Sequence, residues 1–356
     1  MPQTSVTNTI GDVLSSTLPN TRQDIVDQIH KKSVYLAKMM VAKRKRTFDG
    51  GVSIYRSVQY AKNTTVNSFA GWDVNAIVPQ EHVTDTIWTP KNYAGNWSVS
   101  WEEERQNAGS ATKIRDVAKL KKDALVDGFN EEINTDLLNP ASFTAVGNGG
   151  KDLTPLTMLV SRSALTVGSV SESANTWWVP QRKKSVSSNN TATAGSIINK
   201  ELRSFYNTCG KNKDGFPDFV LTSQLLYELY ESILDNKVRY GSTEMASLGF
   251  DTIMLKNAEM AWDHIVPGSS ANSAATVAYD SGSYAEENAF FLNTKYLYLE
   301  VDSGADFVMT EAVKHLAGGQ FGTSGAMLAR MEHICTNRRA QGFYHGVDES
   351  AVTLTT

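Results

Sequence analysis

The alternation of apolar and polar residues is sharpest at Trp97-Ser98-Val99-Ser100-Trp101, where three large apolar side chains share one face and two serines the other. A period of two predicts a half-buried strand. Glu102-Glu103-Glu104-Arg105 then breaks the alternation as an acidic elbow. From Ser110 the period becomes helical. Ile114, Val117, Ala118, the stem of Lys121, Leu125, Phe129, Ile133 and Leu137 draw one apolar stripe. Ser110 or Thr112 can cap this helix, and Asn139-Pro140 ends it. At about 1.5 Å per residue it is ~40 Å long, and Gly128 marks a place for a bend.

Upstream, Thr21-Arg22-Gln23-Asp24 has capping-box character, and Ile25, Val26, Ile29, Ala37, Met40 and Val41 follow at helical spacing. Lys43-Arg44-Lys45-Arg46 closes that helix, where cations suit the negative end of the dipole. The competing reading of the run is a phosphate or nucleic-acid patch. Val52 to Tyr60 reads as a strand with Val52, Ile54, Arg56, Val58 and Tyr60 on one face. Residues 61–96 are extended and aromatic, with Phe69, Trp72, Trp88 and Tyr93 among polar residues, and lead into the matching strand at Trp97. A long aromatic excursion between two strands implies a partner surface unless it folds over its own domain.

Downstream, residues 153–170 read as strand-rich and residues 181–195 as an exposed polar loop. A helix runs from Ile197 to Tyr206 and ends at Cys209-Gly210. Phe219-Val220-Leu221 is a short buried strand, and Thr222 or Ser223 caps a helix carrying Leu225, Leu226, Leu229 and Ile233. Residues 250–255 form another strand and residues 268–284 a surface loop. Residues 290–302 alternate, with Leu297, Leu299 and Val301 against Tyr296, Tyr298 and Glu300. Met327 to Thr336 and Phe343 to Val347 read as a hairpin turned by Asn337-Arg338-Arg339-Ala340-Gln341-Gly342.

Composition and chemistry add mainly exclusions. A 41% hydrophobic, 20% charged chain of 356 residues can build two or three ordinary cores. The net charge of −4 does not suit a dedicated nucleic-acid binder. No apolar run reaches the length of a membrane span, and residues 1–18 lack the basic start and apolar centre of a signal peptide. Two cysteines fit a reducing compartment. No phosphate-binding glycine loop, nucleophile elbow or zinc-type histidine pair is present. No metal or cofactor is therefore expected, His333 and Cys335 included, and Glu102, Glu103 and Glu104 read as a solvated elbow or an ion-pairing surface before a calcium or general-acid site.

Four stretches in order carry a resemblance. Residues 98–109 resemble the passage from an extended loop into a spine helix. Leu165 to Val170 with Asn175-Thr176-Trp177-Trp178 is similar to a stretch found in one branch of the same family. Phe219 to Ser223 with its helix resembles an axial domain, and residues 337–342 resemble a terminal hairpin. Together they resemble the major capsid proteins of tailed bacteriophages, the Hong Kong 97 fold, across residues 20–347.

The resemblance implies an α+β subunit in four parts: an N-terminal arm and helix (1–48), an extended two-stranded loop (49–105), a peripheral domain with spine helix and hairpin (106–150 and 290–356), and an axial domain (151–289). It implies self-assembly through pentamers and hexamers into an icosahedral shell around double-stranded DNA that is contacted non-specifically. Portal, scaffolding and decoration proteins are the further partners it implies, with assembly in the bacterial host cytoplasm and residence in the virion. No membrane and no catalysis are implied. The interface residues it selects are Arg56, Lys62, Trp72, Trp88, Glu102, Glu103, Glu104, Arg105, Arg338 and Arg339, with the elbow carboxylates meeting Arg56, Lys62, Arg338 or Arg339 of a neighbour. The alternatives are an encapsulin-like shell of a cellular nanocompartment and an enzyme on an α+β scaffold.

Overall fold

A computed structural model describes residues 33–75, 77–107, 117–138, 143–185, 191–211, 215–234, 250, 252–266, 286–315 and 321–348. The chain divides into two compact units. One holds Asn92–Glu132 and Gly304–Arg330, the other Lys32–Lys91, Ile133–Ser303 and Met331–Thr356.

The larger unit opens with α1 (Val34–Val41), capped by Ser33, whose hydroxyl accepts from the Leu36 amide at 3.2 Å. Ser33 has extended backbone angles, so the helix expected from Thr21 onward does not run through it. The expected cap at Thr21 lies outside the described residues. Helix α1 ends with the amides of Lys43 and Arg44 donating to the carbonyls of Met40 and Met39, while Lys43 takes a positive φ of 54°. This is the usual left-handed helix stop with lysine where glycine is commonest. The basic run is therefore split. Lys43 and Arg44 form the stop, and Lys45 and Arg46 enter β1 (Lys45–Phe48).

Strand β2 (Ile54–Gln59) pairs antiparallel with β3 (Val83–Trp88) in full register, from Ile54 opposite Trp88 to Gln59 opposite Val83. The expected partner at Trp97 is wrong: β4 (Lys91–Ser100) pairs elsewhere. Periodicity placed β2 but could not choose among several downstream stretches of strand type.

In the smaller unit β4 keeps strict alternation, burying Trp97 and Val99 while Asn96, Ser98 and Ser100 face out. The predicted third member, Trp101, is 56% exposed because the chain turns into α2 (Trp101–Asn107) there. The acidic stretch is thus helical. The long helix α3 (Val117–Leu138) runs unbroken through Gly128, ~33 Å at the standard rise. Its expected caps at Ser110, Thr112 and Asn139-Pro140, and Ile114, lie outside the described residues. Phe129 and Leu125 press so closely on β4 that a Cβ at Gly95 would fall 2.5 Å and 2.6 Å from them. Further along the chain, Gly325 similarly accommodates the Trp97 indole.

The larger unit continues with a two-residue hairpin, β5 (Thr166–Val167) and β6 (Val170–Ser171), turned at Gly168 and Ser169, both with φ near +60°. The expected strand-rich passage is otherwise irregular apart from one helical turn at Leu156–Leu159. Strand β7 (Gln181–Lys184) and helix α4 (Thr191–Cys209) replace much of the expected polar loop. Strand β8 (Phe219–Thr222), helix α5 (Gln224–Leu234) and β9 (Ile253–Leu255) follow as the sequence pattern suggested, and β10 (Ala258–Trp262) is a strand that the pattern did not announce. The expected loop at residues 268–284 lies outside the described residues. Residues 290–302 are two strands, β11 (Glu286–Leu292) and β12 (Leu297–Asp302), in different sheets.

The main sheet has the order β7-β16-β11-β8-β10-β9, where β16 is Gly342–Asp348. Ile198, Leu202 and Phe205 of α4 and Leu226 and Tyr230 of α5 join Val220, Met260, Phe291 and Tyr344 of the sheet in one buried core. Strand β1 runs parallel to β12, which pairs antiparallel with residues 331–335 of β15 (Gly322–Cys335). In the smaller unit the first half of β15 pairs with β13 (Val308–Met309), β14 (Val313–His315) and β4. Strands β15 and β16 flank the predicted turn but lie in separate sheets, so the expected terminal hairpin is not one. Both strands were legible, but not their partners.

Candidate assembly surface

Strands β2 and β3 form the stalk of an arm whose turn region spans residues 60–82. The ladder extends one rung further, with the Tyr60 amide donating to the His82 carbonyl at 3.0 Å. Beyond it the Thr64 amide donates to Gln80 Oε1 at 3.0 Å, and Gln80 Nε2 donates back to the Thr64 hydroxyl at 2.7 Å. A tight turn forms at Ala70–Asp73. The Asp73 amide donates to the Ala70 carbonyl at 3.1 Å, and the Ala70 amide to Asp73 Oδ2 at 2.9 Å. Gly71 supplies the positive φ of 55°.

Around this ordered backbone the apolar side chains point into solvent. Trp72 is 100% exposed and Ile77 99%, with Val66, Phe69 and Val74 also largely exposed. A concentration of large apolar side chains on a polar-backed arm marks a contact surface.

The predicted interface residues separate into three groups. Two belong to the internal fold. Trp88 is 3% exposed, and its indole lies against Gly168, where a Cβ would come within 2.9 Å of the ring. Arg338 is fully buried. It donates to the carbonyls of Leu159 and Met158 and pairs with Glu172 at 2.6 Å. Arg182 pairs with the same carboxylate at 2.5 Å. Desolvation pulls the Arg338 pKa down, and Glu172 opposes that. A guanidinium committed in this way offers nothing to a neighbour, which corrects the expectation for Arg338 as it does for Trp88.

A second group has partners within its own unit. Arg56 grips the buried Glu300 with two nitrogens, Nε at 2.8 Å and Nη2 at 2.5 Å. Glu103 pairs with Lys121 at 2.8 Å and also accepts from the Ser100 amide. The lysine hydrogen bond is the main reason the Glu103 pKa lies below the usual carboxylate value. Arg105 sits with its guanidinium carbon 5.6 Å from the centre of the Trp101 ring. The third group, Lys62, Trp72, Glu102 and Arg339, is exposed. The Glu104 side chain lies outside what the structure describes.

Arg339 also lines a cavity of about 330 Å³ at the arm base, together with Ser57, Gln59, Tyr60, Trp177, Tyr296 and Asn337. Tyr60 and Trp177 stack there at 5.4 Å and 28°. Sequence reading missed this grouping because its members come from four separate stretches. The adjacent tryptophans at 177 and 178 were its only local signal.

Among the described residues no cluster of three or more metal-binding side chains occurs. The buried pair Glu332 and His333 is held by backbone and tyrosine contacts instead. Glu332 Oε1 accepts from the amides of Thr154 and His333. The His333 ring lies between the Thr154 carbonyl and the Tyr35 hydroxyl. Burial raises the Glu332 pKa to about 7 and lowers that of His333 to about 4.

No family model and no curated protein matches the sequence. Solved structures do match. The capsid asymmetric unit of cyanophage A-1(L) aligns with a TM-score of 0.58 at 13% identity, covering 94% of this chain and 97% of that one. The capsid of Myoviridae phage XM1 aligns at 0.54 and 10% identity, over 93% and 97%. The SrpI encapsulin complex from Synechococcus elongatus aligns at 0.55 and 10% identity, over 97% and 98%. The chain therefore has the Hong Kong 97-type capsid fold, as its sequence resemblance implied.

Proposed function

We propose that this chain is the major capsid protein of a tailed phage, a structural subunit that self-assembles into an icosahedral shell enclosing double-stranded DNA. The observation that carries the reading is the arm, an ordered extension that displays Phe69, Trp72, Val74 and Ile77 to solvent. An isolated subunit gains no stability from such a surface, whereas a closed assembly buries it in every copy. The shared fold supports the same conclusion, since the two phage capsid structures match 93–94% of this chain.

In this reading pentamers and hexamers of the chain build the shell, portal and scaffolding proteins assist, and a decoration protein binds outside. Packaged DNA meets the inner face through non-specific contacts, in keeping with a net charge of −4. The subunit is built in the host cytoplasm and ends in the virion, and it has no catalytic role. The second reading is an encapsulin-like compartment, favoured by the likeness to the SrpI encapsulin complex.

The test is electron microscopy and sedimentation of the purified full-length protein beside a variant in which Asn63–Gln80 is replaced by Asn-Gly. That replacement keeps the β2–β3 ladder and Trp88. The expected result is shells or capsomer rings from the parent, and a folded subunit that forms neither from the variant. A parent that stays monomeric at every concentration overturns the reading, and normal shells from the variant overturn the role of the arm. Shells recovered from infected cells with DNA inside support the phage reading, and shells filled with a protein cargo the compartment.

A further inference from the structure

The two ends of the arm are chemically complementary. At the base, Tyr60 stacks on Trp177, and Trp177 in turn leans on Trp178 at 5.5 Å. Trp178 is anchored by its indole N–H, which donates to the Val167 carbonyl at 3.0 Å. Tyr60, Trp177, Trp178 and Tyr296 thus supply aromatic walls to a cavity whose lining also includes Gln59, Asn337 and Arg339. At the tip, the hydrogen-bonded turn presents a fully exposed indole, Trp72, beside the exposed carboxylate of Asp73. Cross-arm bonds at Tyr60–His82 and Thr64–Gln80 hold the two sides of the arm together as far as Thr64 and Gln80.

We propose that the Trp72–Asp73 turn of one copy seats in the arm-base cavity of a second copy, the indole against Tyr60, Trp177 and Tyr296 and the carboxylate against Arg339. The proposal rests on the shell reading and names the contact that the arm makes. Plug and socket are different surfaces, so the contact is heterologous. Each copy gives its plug to one neighbour and receives a plug from another, and such contacts close into rings when the rotation permits. A buried tryptophan flanked by a charge-assisted pair is the typical anchor of a protein interface.

The test uses the full chain carrying Asp73→Cys and Arg339→Cys, treated with a short bis-maleimide after assembly. The native Cys209 and Cys335 are buried and serve as the background control in the parent. The expected result is a covalent ladder from dimer up to whole rings in the double variant, and none in either single variant. Shells that form without a ladder overturn the plug-and-socket contact and leave the shell reading intact. A parent that forms no assembly overturns both. Trp72→Ala is the second measurement. Because the side chain is fully exposed, the subunit's melting temperature should not move, and the concentration needed for assembly should rise about tenfold or more. Assembly unchanged in Trp72→Ala also overturns the proposal.

Discussion

Replacing Glu332 by glutamine should stabilise the subunit at pH 8 and uncover a titration that the native protein hides. Glu332 and His333 are adjacent on β15 and both are buried. Glu332 lies opposite Glu300 in the β12–β15 register. Arg56 is engaged with both oxygens of Glu300, and the more distant Lys91 gives Glu332 only part of the attraction it needs. Burial therefore dominates, and the Glu332 pKa rises from 4.5 to about 7. A carboxyl that holds its proton more tightly when folded loses stability as pH rises from about 4.5 to about 7.

His333 behaves oppositely. Its Nδ1 faces the Thr154 carbonyl and so carries the proton, leaving Nε2 to accept from Tyr35. Burial of this neutral ring lowers its pKa from 6.5 to about 4, so stability is lost as pH falls through that interval. A gap of about 2.5 pH units corresponds to ~3 kcal/mol. Between about pH 4.5 and 6.5 the two slopes offset each other. In Glu332→Gln the new side chain would keep the oxygen that accepts from Thr154 and His333 but not the charge. The variant should gain on the order of 2–3 kcal/mol at pH 8, less than the full value because its amide N–H groups need acceptors. Its stability should rise with pH between about 4 and 6.5, where the parent's stays level. Denaturant unfolding of the unassembled subunit from pH 4 to 8.5, followed by circular dichroism, reads both effects. Parallel profiles for parent and variant, or a variant less stable at pH 8, refute the reasoning.

Two further substitutions test the interior and the elbow. Arg338→Ala leaves Glu172 facing Arg182 alone and frees the Met158 and Leu159 carbonyls, so it should cost about 3–5 kcal/mol in thermal or denaturant unfolding. Glu103→Lys removes a partly exposed pair with Lys121 worth about 0–1 kcal/mol. The monomer's melting temperature should therefore shift little, while assembly should weaken in a salt-dependent way if the elbow meets a neighbour, as measured by sedimentation at two ionic strengths.

Local periodicity was legible wherever one face of an element meets solvent. Strand β4 buries Trp97 and Val99 as its alternation requires, and α5 buries the Leu226 and Leu229 side of its stripe. Pattern failed where both faces are covered. Tyr298 and Glu300 read as the outward face of β12, yet they are 8% and 0% exposed, because Arg46 lies over the Tyr298 ring and Arg56 grips Glu300 on that face. The partner that makes Glu300 tolerable inside, Arg56, comes from a distant stretch of chain, and no local spacing announces it. Strand pairing failed for the same reason. Residues 83–88 and 97–101 are both strand-like, and only tertiary register decides which one meets β2.

The candidate surface shows the limit most clearly, because residue type alone ranked Trp72 with Trp88 and Arg339 with Arg338. Trp88 sits inside the β2–β3 ladder opposite Ile54, where the chain can fold Gly168 against its ring. Trp72 lies past the last ladder rung, on a turn where no other element of its own unit covers it. The arginines diverge over a single residue. In the short 3-10 turn at Arg338–Ala340, successive side chains point about 120° apart, so Arg338 enters the interior toward Glu172 while Arg339 is exposed and lines the cavity. An aromatic or a cation on such an arm is therefore available to a neighbour only beyond the point where intrachain pairing stops. For this chain the backbone ladder ends at the hydrogen bond between Tyr60 and His82, and the last cross-arm bonds join Thr64 and Gln80.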